Sequence, residues 1–171
     1  MKKFLILLCI IFSSYANNTF SQSNKRFGKP DFFLIKEAIS DKESKDYYPV
    51  LLNRFNNNDS TLTDEQYRLL YFGYVFSDSY DPYWLSSYSI VLKKYYKKSD
   101  TNCNECDSII KYCKLSIADF PFDLQKIGML VVAYRKKGDI VNWRLWENKY
   151  IRLWNTISTT GSGIDNNNPS I

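Results

Sequence analysis

The sequence contains no histidine among its 171 residues. Histidine is the commonest general base and the commonest metal ligand of proteins. Its absence excludes every Ser-His and Cys-His nucleophile pair. The segment Thr160-Gly161-Ser162-Gly163 has the glycines of a phosphate loop, but no lysine follows it. We therefore predict no catalytic residue and no cofactor.

Cysteine is also scarce, with four residues, of which Cys9 lies in the N-terminal apolar run. The other three, without histidine, are one ligand short of a structural zinc site, and no histidine follows Cys106 for haem attachment. Cys103 and Cys106 form a C-x2-C pair, which is typical of a disulfide or of a redox pair at a helix N-terminus. The favoured interpretation is that Cys106 and Cys113, on one apolar helical stripe, are small hydrophobic residues of the core.

Long hydrophobic runs are missing except for Phe4 to Phe12. A basic start precedes this run and Ser14-Tyr15-Ala16 follows it, which is the order of a secretory signal peptide. The run is far below the ~20 residues that span a bilayer. We predict a signal peptide over 1–22, a disordered linker over 23–30 and no transmembrane anchor in the mature chain. The protein is then exported to the periplasm or cell surface.

No stretch of strand length alternates polar and apolar residues, whereas apolar spacings of three and four recur along the chain. The sequence therefore predicts an all-α fold: a single domain over 31–157, with about six helices packed as helical hairpins, and a polar tail over 158–171. The last two helices, joined by Lys136-Lys137-Gly138-Asp139, are partly similar to a tetratricopeptide unit.

Several local signals place helix boundaries and contacts. Thr63 and Gln66 have the spacing of a capping box, and Leu62 and Tyr67 that of a hydrophobic staple. Gly73 within the helix that follows predicts close packing by a neighbouring element. The next helix is predicted to begin at Pro82.

The final helix carries the broadest apolar stripe. Trp143, Trp146, Tyr150, Leu153 and Ile157 lie on one side, and Trp154 widens it. A stripe of this width suits a helix that is covered on more than one side. We expect part of it to remain exposed and to support self-association.

The residue pattern resembles a known family. The motifs that carry the resemblance are Tyr48-Pro49, Asp59-Ser60-Thr61-Leu62-Thr63, Leu70-Tyr71-Phe72-Gly73-Tyr74-Val75-Phe76, Pro82-Tyr83, Cys106-Asp107, Pro121-Phe122-Asp123-Leu124, Lys137-Gly138-Asp139 and Thr160-Gly161-Ser162-Gly163. Together they are similar to the family called domain of unknown function 4919, from about Asp31 to Gly163. The resemblance implies an envelope protein of a Gram-negative bacterium and implies no activity. Family members continue past the last motif, so the chain is expected to be a shortened member or a fragment.

An aromatic block with two carboxylates supplies the candidate binding residues. Exposed rings beside acids suit a sugar- or peptide-binding surface, whereas rings at helical spacing are more often core. Phe72 and Phe76 lie off the helical stripe and are therefore predicted to be exposed. The candidates are Tyr80, Tyr83, Trp84, Asp78, Asp81, Phe72 and Phe76.

Three functional hypotheses follow. The first, and favoured, is a non-catalytic envelope module that binds a protein or peptide. The second is a secreted hydrolase using carboxylates such as Asp64 and Glu65, although acids in a first helical turn are favoured by the helix dipole alone. The third is a shortened copy without function. The densest basic group, Lys93-Lys94 and Lys97-Lys98, is typical of a solvated helix face, so we predict no nucleic-acid partner.

Overall fold

The computed structural model describes residues 28–83, 85–96 and 103–160. In these ranges the chain forms seven α-helices and no strand, which confirms the all-α prediction with one helix more than expected. The predicted signal peptide, residues 23–27 of the linker and residues 161–171 of the tail lie outside the described residues. The helices are α1 Phe32–Ser40, α2 Tyr48–Asn56, α3 Asp64–Gly73, α4 Tyr88–Leu92, α5 Cys106–Asp119, α6 Leu124–Lys136 and α7 Ile140–Ser158.

Side-chain caps define the starts of α1 and α3. The Asp31 carboxylate caps α1 by accepting from the backbone N–H groups of Phe33 and Leu34. The capping box at the start of α3 is confirmed: the Gln66 N–H donates to Thr63 Oγ1 and the Thr63 N–H donates to Gln66 Oε1, each at 3.1 Å. These caps satisfy N–H groups that have no partner within the helix.

Gly73 ends α3 against two neighbouring side chains. A Cβ atom at this position would lie 2.8 Å from Ile39 Cδ1 and 3.3 Å from Tyr48 Cε2. The predicted close approach is therefore confirmed, and its partners come from α1 and α2. The glycine allows these helices to approach the end of α3 and to position the aromatic residues that follow it.

The prediction that a helix begins at Pro82 is wrong. The chain turns there, α4 begins only at Tyr88, and Leu85 is 81% exposed. Asp81 Oδ1 accepts from the Tyr83 N–H at 2.9 Å, a local bond that competes with helix formation. Serine at positions 86 and 87 further favours a turn over a helix.

The last two helices form the predicted helical hairpin. α6 and α7 pack together, and between them Gly138 adopts a φ of 71°, a left-handed conformation that favours glycine. Asp139 then caps α7 by accepting from the Asn142 N–H. The partial likeness to a tetratricopeptide unit stays a prediction.

Two buried clusters make up the core. The first joins α1, α2 and α3 to Phe122, Ile127 and Leu153, and the second lies between α4, α5 and α6. Ile117 and Trp146 pack against both clusters, so they connect the two parts of one domain.

On α7, Leu153 is fully buried, and the other four residues of the predicted stripe are partly buried. Trp154 and Ile151 are 54% and 45% exposed, so part of the helix is uncovered among the described residues. Self-association through this surface stays a prediction. No helix in the described ranges has the length and apolarity needed to span a membrane.

Candidate functional site

An aromatic cleft lies where α1, the end of α3 and the segment after α5 meet. Its volume is about 380 Å³. Ligand pockets usually span ~300–1,000 Å³, so the cleft can accept a side chain or a small ligand. The residues that line it are Phe32, Tyr71, Phe72, Tyr74, Val75, Tyr80, Asp81, Pro82, Phe120 and Phe122.

A short 3-10 turn at Tyr74–Phe76 prolongs α3 and shapes one wall. The Tyr74 hydroxyl donates to the Ser79 carbonyl at 3.0 Å, which fixes the loop that carries Tyr80 and Asp81. The opposite wall follows α5, which ends at Asp119 because Phe120 is extended and precedes a proline. The resulting bend brings the rings of Phe120 and Phe122 to 5.3 and 5.5 Å from the Tyr74 ring.

The rings meet mostly at steep angles. Tyr74 and Tyr80 lie 5.7 Å apart at 82°, and Tyr71 and Phe72 lie 5.1 Å apart at 89°. Edge-to-face pairs of this kind are favoured by the ring quadrupole. Each ring therefore packs against another, and the cleft presents both faces and edges to a ligand.

Asp81 is the one charged residue in the described lining of the cleft. Burial raises the pKa of the Tyr71 and Tyr74 phenols, so both remain neutral at physiological pH. The cleft therefore combines an apolar aromatic interior with a single negative charge at the loop.

The structure brings three predicted candidates into this cleft: Tyr80, Asp81 and Phe72. The prediction that Phe72 is exposed is wrong, because only 4% of its surface is accessible. Its ring packs against Phe32 and Tyr71 on the covered side of α3.

The other candidates lie outside the lining. Phe76 is 39% exposed and packs edge-on against Phe32 at 6.4 Å, so it adjoins the cleft rim. Tyr83 is 90% exposed and Asp78 is exposed. Trp84 is outside the described residues.

Sequence reasoning missed Phe32, Phe120 and Phe122 as lining residues. For two of them the sequence offered a signal, a phenylalanine on either side of Pro121. The proline breaks the helix there, so helical periodicity does not determine which way these two rings face. Phe32 gave no such signal, because its position in the first turn of α1 suits either core or surface.

Cys106, Cys113 and the paired acids Asp64 and Glu65 do not line this cleft. Cys106 and Cys113 are fully buried, which confirms the core interpretation for both, and burial raises the pKa of the Cys113 thiol to about 12. The Cys103 side chain lies outside the part of the chain that the structure describes, so a disulfide bond to Cys106 stays a prediction. Asp64 Oδ1 accepts from Arg152 Nη2 at 2.8 Å on the surface.

The comparisons with known proteins give one match. The family model described as Domain of unknown function (DUF4919) matches residues 33–168, in agreement with the resemblance found in the motifs. No curated protein and no solved structure matches the chain.

Proposed function

The chain belongs to the family described as Domain of unknown function (DUF4919), and this description names no activity. We therefore propose a function from the surface of the protein itself. It is a non-catalytic binding module that takes an exposed side chain of a protein or peptide into the aromatic cleft. The observation that carries this proposal is the lining: seven aromatic rings and one carboxylate around a preformed space.

The surroundings of the cleft favour a peptide over a free small molecule. Phe32 and Tyr80 line the cleft yet are 44% and 41% exposed, and Phe76 continues the apolar surface beside Phe32. Contiguous exposed apolar surface of this kind marks interaction sites in soluble proteins. Residues on both sides of an anchoring side chain can therefore pack on the rim.

Hydrolysis by paired carboxylates has less support. Glycosidic cleavage needs two carboxyl groups ~5–9 Å apart across the substrate. The described lining of the cleft offers Asp81 alone. Asp64 faces Arg152 instead, and neither it nor Glu65 lines the cleft.

Replacing Tyr80 by alanine is expected to weaken peptide binding by about tenfold or more, because one wall of the cleft is lost and a buried aromatic anchor contributes ~2 kcal/mol or more. Panning a phage-displayed random dodecapeptide library on the purified protein supplies the ligands, and calorimetry measures their affinity. Tyr83→Ala is the matched control, since Tyr83 is 90% exposed and outside the lining. Equal losses in both variants would refute the cleft as the binding site.

We also propose that the protein acts in the bacterial envelope, which rests on the N-terminal sequence. A basic start, one short apolar run and small residues are typical of a cleaved signal peptide. Mass spectrometry of the protein purified from its native source is expected to find the N-terminus between Asn17 and Ser23. An intact Met1 or a lipid on Cys9 would contradict export by this route.

A further inference from the structure

The cleft has the chemistry of a cation-binding pocket. The face of an aromatic ring is electronegative and attracts a cation within about 6 Å of the ring centroid. Tyr74 and Tyr80 meet at 82°, so their ring planes form two sides of a corner. Asp81 follows directly in the chain and adds a carboxylate to the same lining.

Two aromatic rings in or beside the cleft already make cation–π contacts with basic side chains of the protein itself. Lys36 Nζ lies 5.4 Å from the centroid of the Phe76 ring, and the Arg68 guanidinium lies 5.3 Å from that of Phe72. The described lining of the cleft, in contrast, contains no lysine or arginine. Because Arg68 lies beside Phe72, an incoming cation is favoured away from that ring, near Tyr80 and Asp81.

The chain segment that supplies most of the lining, residues 28–83, has a net negative charge, which also favours binding of a cation. Residues 28–83 contain ten aspartates and glutamates against six lysines and arginines, although the whole chain carries a formal charge of +5. Asp78 is exposed in the same loop as Asp81. Complementary charge of this kind guides a basic partner to its site and excludes acidic ones.

We propose that the side chain bound in the aromatic cleft is an arginine of the partner peptide, stacked on the tyrosine rings and paired with Asp81. This inference rests on the proposed function of the cleft. Arginine fits better than lysine because its planar guanidinium stacks on rings and matches the two oxygens of a carboxylate. Its long aliphatic stem also suits the apolar walls.

The test uses three pools of fluorescein-labelled heptapeptides with degenerate flanks and a fixed central residue, which is arginine, citrulline or leucine. Citrulline keeps the shape of arginine and removes its charge. Fluorescence anisotropy with the purified protein is expected to give binding about tenfold tighter for the arginine pool than for the citrulline pool, as for one charge-assisted pair. Equal affinity of these two pools would overturn the proposal.

Asp81→Asn separates the specific pair from general attraction. Asparagine keeps an oxygen that can accept from the Tyr83 N–H, so the loop is preserved. This variant is expected to bind the arginine pool with about tenfold lower affinity, which equals the affinity of the wild-type protein for the citrulline pool. The matched control, Asp78→Asn, removes the same charge outside the cleft and is expected to change binding less than twofold; equal effects of the two variants would overturn the pairing.

The outcomes also separate this inference from the proposed function. If the leucine pool binds best and Tyr80→Ala abolishes that binding, the cleft is a peptide site and the arginine assignment is wrong. If no pool binds and panning yields no ligand sensitive to Tyr80→Ala, both proposals fail.

Discussion

Replacing Lys149 by methionine is expected to raise the free energy of unfolding by about 3 kcal/mol at pH 7. Lys149 lies on α7 with 6% of its surface exposed, and its Nζ is 4.2 Å from the centroid of the Phe55 ring and 5.0 Å from that of Trp146. Among the described residues no carboxylate pairs with it. Burial lowers its pKa from 10.5 to about 8, which corresponds to about 3 kcal/mol of desolvation cost for the charged form.

The lowered pKa of Lys149 also makes the stability of the protein depend on pH. Below pH 8 Lys149 is charged in both the folded and the unfolded state, so its full desolvation cost is present. Between pH 8 and 10.5 the unfolded chain binds more protons at Lys149 than the folded one, so this residue raises stability with pH. The raised pKa of the Cys113 thiol opposes this rise above pH 9, because the folded chain then keeps a proton that the unfolded chain loses. Burial raises the pKa of Tyr48 and Tyr67, which lowers stability again as the pH exceeds 10.

Urea denaturation from pH 7 to 9.5 measures the effect. The wild-type protein is expected to gain stability over this range, whereas Lys149→Met, which keeps the length of the side chain, loses that pH dependence. Lys42→Met is the matched control, because Lys42 is exposed and the substitution changes the same charge. A variant that is less stable than the wild type at pH 7 would show that the ring contacts outweigh the desolvation.

Phe55→Ala is expected to lower the free energy of unfolding by about 3–5 kcal/mol, because a fully buried ring is lost and a cavity remains. Phe55 is 1% exposed, and its ring packs 5.7 Å from Tyr67 and 5.3 Å from Phe122. It therefore joins α2 to α3 and to the segment after α5. Since domains are stable by ~5–15 kcal/mol in total, such a loss is a large fraction.

Thermal and urea unfolding of the purified variant test this prediction. Phe33→Ala is the matched control: it makes the same chemical change at a residue that is 77% exposed, so a loss of no more than ~0.5 kcal/mol is expected. The cavity also lies beside Lys149, so water that enters it is expected to reduce the rise of stability that Lys149 causes above pH 8. Comparable losses in the two variants would contradict the position of Phe55 in the core.

The elements that were predicted well depend on short-range rules. Thr63 and Gln66 defined the start of α3, and Gly138 the turn between α6 and α7, because each signal involves residues within a few positions of one another. The start of α4 was predicted wrongly since a proline can open a helix or a turn. The Asp81 side chain, bonded to the Tyr83 N–H, favours the turn.

The sequence by itself determined the all-α class, the start of α3, the turn between α6 and α7, the close packing at Gly73 and the family. It also placed Tyr80 and Asp81 among the binding candidates. Only the tertiary structure decided that these two residues share a cleft with Phe32 and Phe120, and that Phe72 is covered. The physical reason is distance along the chain: the walls come from three separate segments, and helical periodicity orients a side chain only relative to its own helix. The burial of Lys149 depends likewise on which helices pack over it.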